Sequence, residues 1–119
     1  IVIKYGIKKE NIFANKFLYD NDKVIGYDKK NPLSKSQGKV NILKELKLKG
    51  EVHVIGDGYT DYEIKKEGLA NYFYLFIENI KRESVVKSAD YLLKSLDQFI
   101  KIIKWKNFRF QNQKSKYYF

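Results

Sequence analysis

A short β-branched segment, Val52-His-Val-Ile55, lies between two glycines and constrains the fold more than any other feature of the chain. Four residues are too few for a helix, and flanking glycines favour a buried strand of a parallel sheet. The segment runs directly into Gly56-Asp57-Gly58, and Asp61 follows four residues after Asp57. Because ligands of open α/β sheets bind at the carboxyl ends of the strands, this turn is the candidate functional site.

Strand and helix patterns alternate along the rest of the chain, which predicts an α/β fold with a parallel sheet. Gln37 follows Ser34 by three residues, and Glu63 follows Thr60 by three residues. Both pairs have the pattern of a helix capping box. The predicted elements are a β-hairpin over residues 11–28, a helix from Ser34 to about residue 48, a helix starting at Thr60, a strand over 72–76, a short helix over 83–88, an extended segment over 89–93 and a last helix from Ser95.

The composition limits the kinds of protein that this chain can be. Its 119 residues suffice for one small domain. The chain has no cysteine, which excludes disulfides and thiolate metal sites and favours the cytoplasm. No apolar run approaches the roughly 18 residues of a membrane span, so we expect no membrane partner. The chain also has no methionine and opens inside the apolar segment Ile1-Val-Ile3, which we interpret as a fragment or a processed product.

The formal net charge is +10, and the basic excess is concentrated at the end of the chain. Residues 101–119 carry basic and aromatic side chains and no acidic one, a mixture that can bind single-stranded nucleic acid or another polyanion. Arginine is scarce, and abundant lysine, asparagine, isoleucine and tyrosine are typical of an AT-rich coding sequence. We therefore expect no nucleic-acid partner, a domain spanning residues 1–104 and a tail over residues 105–119 that lies outside it.

Asp57 and Asp61 have the chemistry of a magnesium site. A carboxylate that follows a strand directly can bind a hard cation, which prefers one or two carboxylates together with water and phosphate oxygens. Gly56 and Gly58 give the backbone room to turn and a ligand room to approach. Asp61, in the first turn of the next helix, can orient the metal-bound water. Helix capping alone accounts for a polar strand-to-helix turn as well, so both interpretations stay open.

Two single residues raise further possibilities. Lys39 lies near the start of a predicted helix, where the helix dipole disfavours a cation, and a bound phosphate would resolve that mismatch. The alternative is an ordinary solvated lysine. His53 is the only histidine, and strand alternation points it away from Val52 and Val54. We expect it to be packed against the sheet rather than catalytic.

Lys39 and the aspartates gain meaning from their order in the chain. Gly38-Lys-Val-Asn-Ile-Leu-Lys-Glu-Leu46, a short strand and then Gly56-Asp-Gly-Tyr-Thr-Asp61 resemble the third and fourth motifs of the haloacid dehalogenase superfamily, and most closely those of the phosphoserine phosphatases. The resemblance covers roughly residues 10–100 and includes Ile12–Asn15, Gly68–Ala70 and Lys87–Asp90. More narrowly, the chain resembles the phosphatase-like region joined to phosphoglycerate dehydrogenase in some bacteria.

The resemblance implies a partial Rossmann-like parallel sheet of the haloacid dehalogenase type, with a β-hairpin and without the first two core strands. It implies Mg²⁺ as cofactor, bound by Asp57 and supported by Asp61, and a phosphoryl group held by Lys39. Gly56 and Gly58 would shape the loop. The implied substrate is a small phosphorylated metabolite, and phosphoserine is the one that the resemblance favours. Thr60 departs from the family pattern, which usually has asparagine there.

The family's nucleophile motif, Asp-x-Asp-x-Thr or Val, has no convincing match in the chain. Asp20-Asn-Asp22 has the spacing but falls in the predicted hairpin turn. We therefore expect the chain to lack the nucleophile, to need the N-terminal part of the same domain as its partner, and to be inactive alone. We also expect the strand over residues 51–55 to lack its central neighbour. The alternatives are a non-catalytic metabolite-binding regulatory domain of a dehydrogenase fusion and a polyanion-binding module that uses the tail.

Overall fold

A computed structural model describes the backbone of residues 2–109 and 116–118 and the side chains of residues 4–106. Short 3₁₀ turns lie at Val2–Tyr5, Lys9–Asn11 and Pro32–Ser34. The regular elements are β1 (Phe17–Asp20), β2 (Lys23–Tyr27), α1 (Gly38–Leu46), β3 (Val52–Gly56), α2 (Tyr59–Lys66), β4 (Tyr72–Phe76), α3 (Glu83–Val86), β5 (Tyr91–Leu93), α4 (Leu96–Arg109) and β6 (Lys116–Tyr118).

The main sheet has the order β5-β4-β3-β6, and each of its three strand pairs is parallel. The predicted α/β fold with a parallel sheet is therefore confirmed. The expectation that β3 lacks a neighbour on its second edge is wrong, because β6 lies there and pairs Val52 with Lys116. Helix α4 continues across the expected boundary between residues 104 and 105. The division of the chain into a domain over residues 1–104 and a tail over residues 105–119 stays a prediction.

The predicted β-hairpin is confirmed, and it forms a two-stranded antiparallel sheet of its own. Its first strand begins at Phe17, which pairs with Tyr27, and the pairing register shifts between Leu18 and Tyr19. The apolar run that starts at residue 12 predicted an earlier start for this strand. Residues 12–16 instead form no regular element.

The main sheet packs on both faces, which is why β3 and β4 read as nearly continuous apolar runs. Helices α1 and α2 cover one face, where the buried side chains are Val40, Val52, Val54, Ile64, Phe73, Leu75 and Val85. Helix α4 covers the other face, with Tyr74, Leu93, Phe99 and Ile103. His53 is 1% exposed, which confirms that the only histidine is packed.

Both expected capping boxes are wrong, although both helices exist. Ser34 belongs to a 3₁₀ turn, and its hydroxyl donates to the Asn31 carbonyl oxygen at 2.7 Å. Helix α1 begins four residues later, after Gln37 in the left-handed region (φ 55°). Helix α2 begins at Tyr59, one residue before Thr60. Ser95 does precede α4 as predicted, and its Oγ accepts from the Gln98 amide at 3.4 Å. None of the helices in the described part of the chain is long and apolar enough to span a membrane.

Two polar residues fix the register of the parallel strands. Asn71, directly before β4, donates its amide to the Val52 carbonyl oxygen and accepts the Val52 amide on its side chain, both at 2.8 Å. Asp90, directly before β5, repeats this two-point contact with Phe73, at 2.9 and 2.7 Å. Each strand is thereby aligned with its neighbour at its first residues. The carboxyl ends of β3 and β4 consequently finish together.

We expect Asp90→Ala to lower the free energy of unfolding by about 2 kcal/mol, because it leaves the buried Phe73 amide without its side-chain acceptor. Urea denaturation followed by circular dichroism measures the change. Lys65→Met is the matched control, since it removes the Lys65–Asp90 ion pair and an exposed bond to the Asn71 carbonyl oxygen but keeps the Asp90 carboxylate, and it should cost under about 1 kcal/mol. Equal losses in the two variants would show that the ion pair, and not the backbone contact, stabilises the strand.

Candidate active site at the carboxyl end of strand β3

The site is built around the turn that follows β3. Asp57 is the first residue after the strand, and its side chain is 58% exposed. It faces an open cleft of about 280 Å³ at the carboxyl ends of the strands. The other residues that line this cleft are Ile55, Gly56, Phe76, Asn79, Ile80 and Leu96. The carboxylate is therefore free to meet a ligand from solvent, as the sequence pattern predicts.

Asp61 shapes this turn from within. It is 7% exposed, and its Oδ2 accepts the Gly58 amide at 3.2 Å, which satisfies a free N–H at the start of α2. Asp61 thus does the capping that we expected of Thr60. The carboxylate also packs against Gly56, where a Cβ would lie closer than 3.0 Å to three Asp61 atoms. Only glycine fits at residue 56, because any side chain there would occupy the place of Asp61.

Lys39 reaches the same turn from the first turn of α1. Its ammonium donates to Asp61 Oδ1 at 2.5 Å and is 45% exposed, so one side of it is open to solvent. Gly38 lets the start of α1 pack closely against the Pro32–Ser34 turn, since a Cβ there would lie closer than 3.0 Å to the Pro32 carbonyl oxygen. The spacing along the chain gave no signal for Gly38. Lys39 and Asp61 are thus brought together by two helices that pack on one face of the sheet.

Asp57 has a different basic partner, Arg82, whose Nη2 lies 3.6 Å from Asp57 Oδ2. Arg82 belongs to the connection between β4 and α3, and no periodicity in that connection singled it out. Both side chains are at least half exposed, so the pair contributes little to stability. Its significance is electrostatic, because a cation already compensates the carboxylate that we expect to bind a metal.

The described side chains fit a lightly coordinated metal better than a closed cage. No group of three or more histidine, cysteine, aspartate or glutamate side chains in the described part of the chain is arranged to hold a metal ion. Mg²⁺ does not require one, since it commonly keeps several waters and takes one or two carboxylates together with phosphate oxygens. Asp57, exposed at the cleft, suits that mode. Asp61, occupied by Lys39 and Gly58, is fitted to support the turn rather than to bind the ion.

Comparison with known proteins identifies relatives that are named phosphoserine phosphatases. The chain is 37% identical over 100 residues to the chloroplastic phosphoserine phosphatase of Arabidopsis thaliana, and the match covers 80% of this chain and 34% of the relative. It is 33% identical over 97 residues to the phosphoserine phosphatase of Homo sapiens, with 78% and 42% covered. No protein-family model matches it.

A solved structure gives the same likeness. A phosphoserine phosphohydrolase-like protein from Francisella tularensis superposes with a TM-score of 0.71 at 32% identity, over 86% of this chain and 48% of that protein. The chain thus spans less than half the length of these relatives. The fold is consistent with part of a Rossmann-like sheet of that type. By sequence and by structure, most of this chain is similar to part of the phosphoserine phosphatases and of a phosphoserine phosphohydrolase-like protein, which supports the resemblance to the haloacid dehalogenase type.

Proposed function

We propose that this chain carries the lysine and metal-binding motifs of a magnesium-dependent phosphomonoester hydrolase that acts on phosphoserine in serine biosynthesis. The observation that carries the proposal is the convergence of Lys39, Asp61 and the Gly56–Gly58 turn at the carboxyl end of a parallel strand, beside the exposed carboxylate of Asp57. The names of the relatives supply the substrate.

Each residue has a distinct part in this proposal. Asp57 would hold Mg²⁺, which supplies positive charge to the phosphate oxygens. The ammonium of Lys39, held by Asp61 but open on one side, would bind the transferring phosphoryl group. Asp61 holds the lysine in place and keeps the turn closed. Gly56 leaves space for the Asp61 side chain, and Gly58 leaves space for the phosphate beside the backbone.

The attacking group of the proposed reaction lies outside residues 1–119. An aspartate carboxylate oxygen attacks phosphorus, and the serine oxygen leaves and takes up a proton from a general acid. Water then hydrolyses the aspartyl phosphate and releases inorganic phosphate. The absence of a nucleophile motif in the chain is the reason for placing this carboxylate in a separate segment.

The surface of the hairpin supports a missing partner segment. Phe17, Tyr19 and Ile25 are 60%, 63% and 65% exposed, although an isolated hairpin with apolar faces is at best marginal in water. Exposed apolar patches of this kind mark interaction surfaces. We propose that the remaining part of the same phosphatase domain covers them.

A cytoplasmic location stays a prediction.

A chimera tests the activity. The 97-residue segment of the human phosphoserine phosphatase that matches this chain is replaced by the matching residues of this chain. We expect the chimera to release inorganic phosphate from phosphoserine only with Mg²⁺ present. Asp57→Asn should lower that activity roughly 100-fold, because it weakens the proposed metal ligand. Glu45→Gln, a change at an exposed acidic residue of α1, is the matched control.

Two results would contradict the proposal. One is a folded chimera that does not hydrolyse phosphoserine while the human parent does. The other is an Asp57→Asn chimera that keeps full activity and an unchanged Mg²⁺ requirement. Phosphate release by the 119-residue chain alone would overturn the separate placement of the nucleophile.

A further inference from the structure

A buried polar cluster lies beneath α4, on the sheet face opposite α1 and α2. The imidazole of His53 packs beside both Tyr72 and Tyr74, with ring centroids 5.1 and 5.7 Å away. Its Nδ1 is 2.9 Å from the Tyr74 hydroxyl, and its Nε2 is 2.7 Å from a carboxylate oxygen of Glu51. A buried histidine that bridges a hydroxyl and a carboxylate is not needed for packing alone. The cluster also plays no part in the proposed phosphatase chemistry.

Lys106, near the end of α4, inserts its ammonium into the same cluster. The Nζ atom is 3.0 Å from the Tyr72 ring centroid and 5.0 Å from that of Tyr91. The atom is buried and makes no hydrogen bond to any side chain or backbone group that the structure describes. Ring faces attract a cation, but they replace its water only in part. The attraction of the ring faces therefore only partly offsets the desolvation of the Lys106 ammonium. One more positive charge nearby would favour its release from the sheet.

We propose that His53 and Lys106 form a pH-sensitive latch, which holds the end of α4 on the sheet while His53 is neutral and releases it when His53 is protonated. Tyr72 contacts both His53 and Lys106, so a His53 imidazolium and the Lys106 ammonium would lie against the same aromatic ring. Two cations in a low-dielectric site repel each other far more than in water. The flexible lysine at the end of a helix is the partner that can leave.

Several other charged and titratable side chains of the described residues lie around His53. Burial raises the pKa of Tyr74 well above its usual range, so its hydroxyl stays neutral. The other side chains of this kind among the described residues are Glu51, Lys65, Tyr72, Asp90 and Tyr91, and the backbone of β6 (Lys116–Tyr118) pairs with β3 at His53. Burial lowers the pKa of His53, the Glu51 carboxylate opposes that shift, and the Lys106 ammonium adds to it. Neutral His53 is therefore the folded form at neutral pH.

The direction of the pH effect follows from this lowered pKa. An unfolded histidine takes up its proton near pH 6.5, whereas folded His53 takes it up only at lower pH. The unfolded state then binds more protons, so stability rises with pH across this range. The contribution of His53 is complete above about pH 6.5 and is lost as the pH falls through the folded-state pKa.

The 119-residue chain carries its own probes, because it has one histidine and one tryptophan. The NMR signal of the His53 imidazole reports protonation, and the fluorescence of Trp105, next to Lys106, reports the end of α4. We expect His53 to titrate below pH 6.5 and the Trp105 emission to change with the same midpoint. His53→Gln should abolish that fluorescence transition.

Variants of the two charged neighbours should move the midpoint in opposite directions. Lys106→Met removes the cation and should raise it by roughly 0.5 pH unit or more. Glu51→Gln removes the carboxylate and should lower it. Lys104→Met changes an exposed lysine on the same helix and should leave it unchanged. These titrations decide the matter even where His53→Gln fails to fold.

Three results would overturn the latch. The first is a His53 midpoint at or above pH 6.5 in the unmodified chain. The second is a Trp105 signal that stays constant while His53 titrates. The third is a midpoint that Lys106→Met shifts no more than Lys104→Met does. A purely structural role for the cluster would lower stability in these variants without moving the midpoint in opposite directions.

Discussion

Gly56→Ala is expected to lower the free energy of unfolding by about 3 kcal/mol, because the added methyl group overpacks the turn after β3. The new Cβ would lie closer than 3.0 Å to the Cβ, Cγ and Oδ2 atoms of Asp61. Asp61 cannot move aside cheaply, because it is buried and bonded to both Lys39 and the Gly58 amide. Urea denaturation of the 119-residue chain, followed by circular dichroism, measures the loss.

Two further variants separate this clash from a general intolerance of the turn. Gly58→Ala places its Cβ 3.8 Å from Asp61 Oδ2, an ordinary contact, and should cost less than about 1 kcal/mol. Asp61→Gly removes all three clashing atoms, so it should make Gly56→Ala much less costly in the double variant. Strictly additive losses in that cycle would show that Gly56 is needed for another reason.

Much of the fold could be predicted because it depends on local patterns. The segment Val52–Ile55 admits only a buried strand, and Gly56-Asp57-Gly58 admits only a turn, so β3 and the place of Asp57 follow directly. The hairpin could also be predicted from local sequence, since its turn residues separate two short apolar runs. Its start at Phe17 was missed because the apolar residues Ile12, Phe13 and Ala14 precede the strand without belonging to it.

The caps were mispredicted because several polar residues in a row can cap a helix, and tertiary contacts choose between them. Thr60 and Glu63 fit the local rule, but the close approach of Gly56 to Asp61 selects an earlier start for α2. For α1, Gln37 turns the chain with a positive φ, which sequence propensity does not indicate for glutamine.

Long-range pairings were beyond local patterns altogether. The contact between Asp57 and Arg82 joins two loops, and Lys106 reaches Tyr72 across more than thirty residues of chain. The pairing of β6 with β3 is also of this kind, since residues 106–119 show no period that predicts a strand. Sequence reasoning therefore singled out Lys39, Asp57 and Asp61 but not Arg82, the basic partner of Asp57.

Lys39→Met in the chimera with the human enzyme is expected to lower kcat for phosphoserine roughly 100-fold or more. This expectation rests on the proposed function, in which the ammonium stabilises the transferring phosphoryl group at a turn that excludes part of the solvent. Methionine keeps the length of the side chain and removes the charge. Initial rates of phosphate release with saturating Mg²⁺ measure the effect.

The surroundings of Lys39 supply the controls. Lys44→Met changes another α1 lysine, which is exposed and pairs with Glu67 at 3.4 Å, and it should leave kcat within about twofold. Asp61→Asn keeps an acceptor for the Gly58 amide but weakens the hold on Lys39, so it should lower kcat while leaving the fold intact. If Lys39→Met and Lys44→Met reduce kcat equally, the lysine at the turn is only a surface charge, and Asp61 is its structural partner rather than part of a phosphate site.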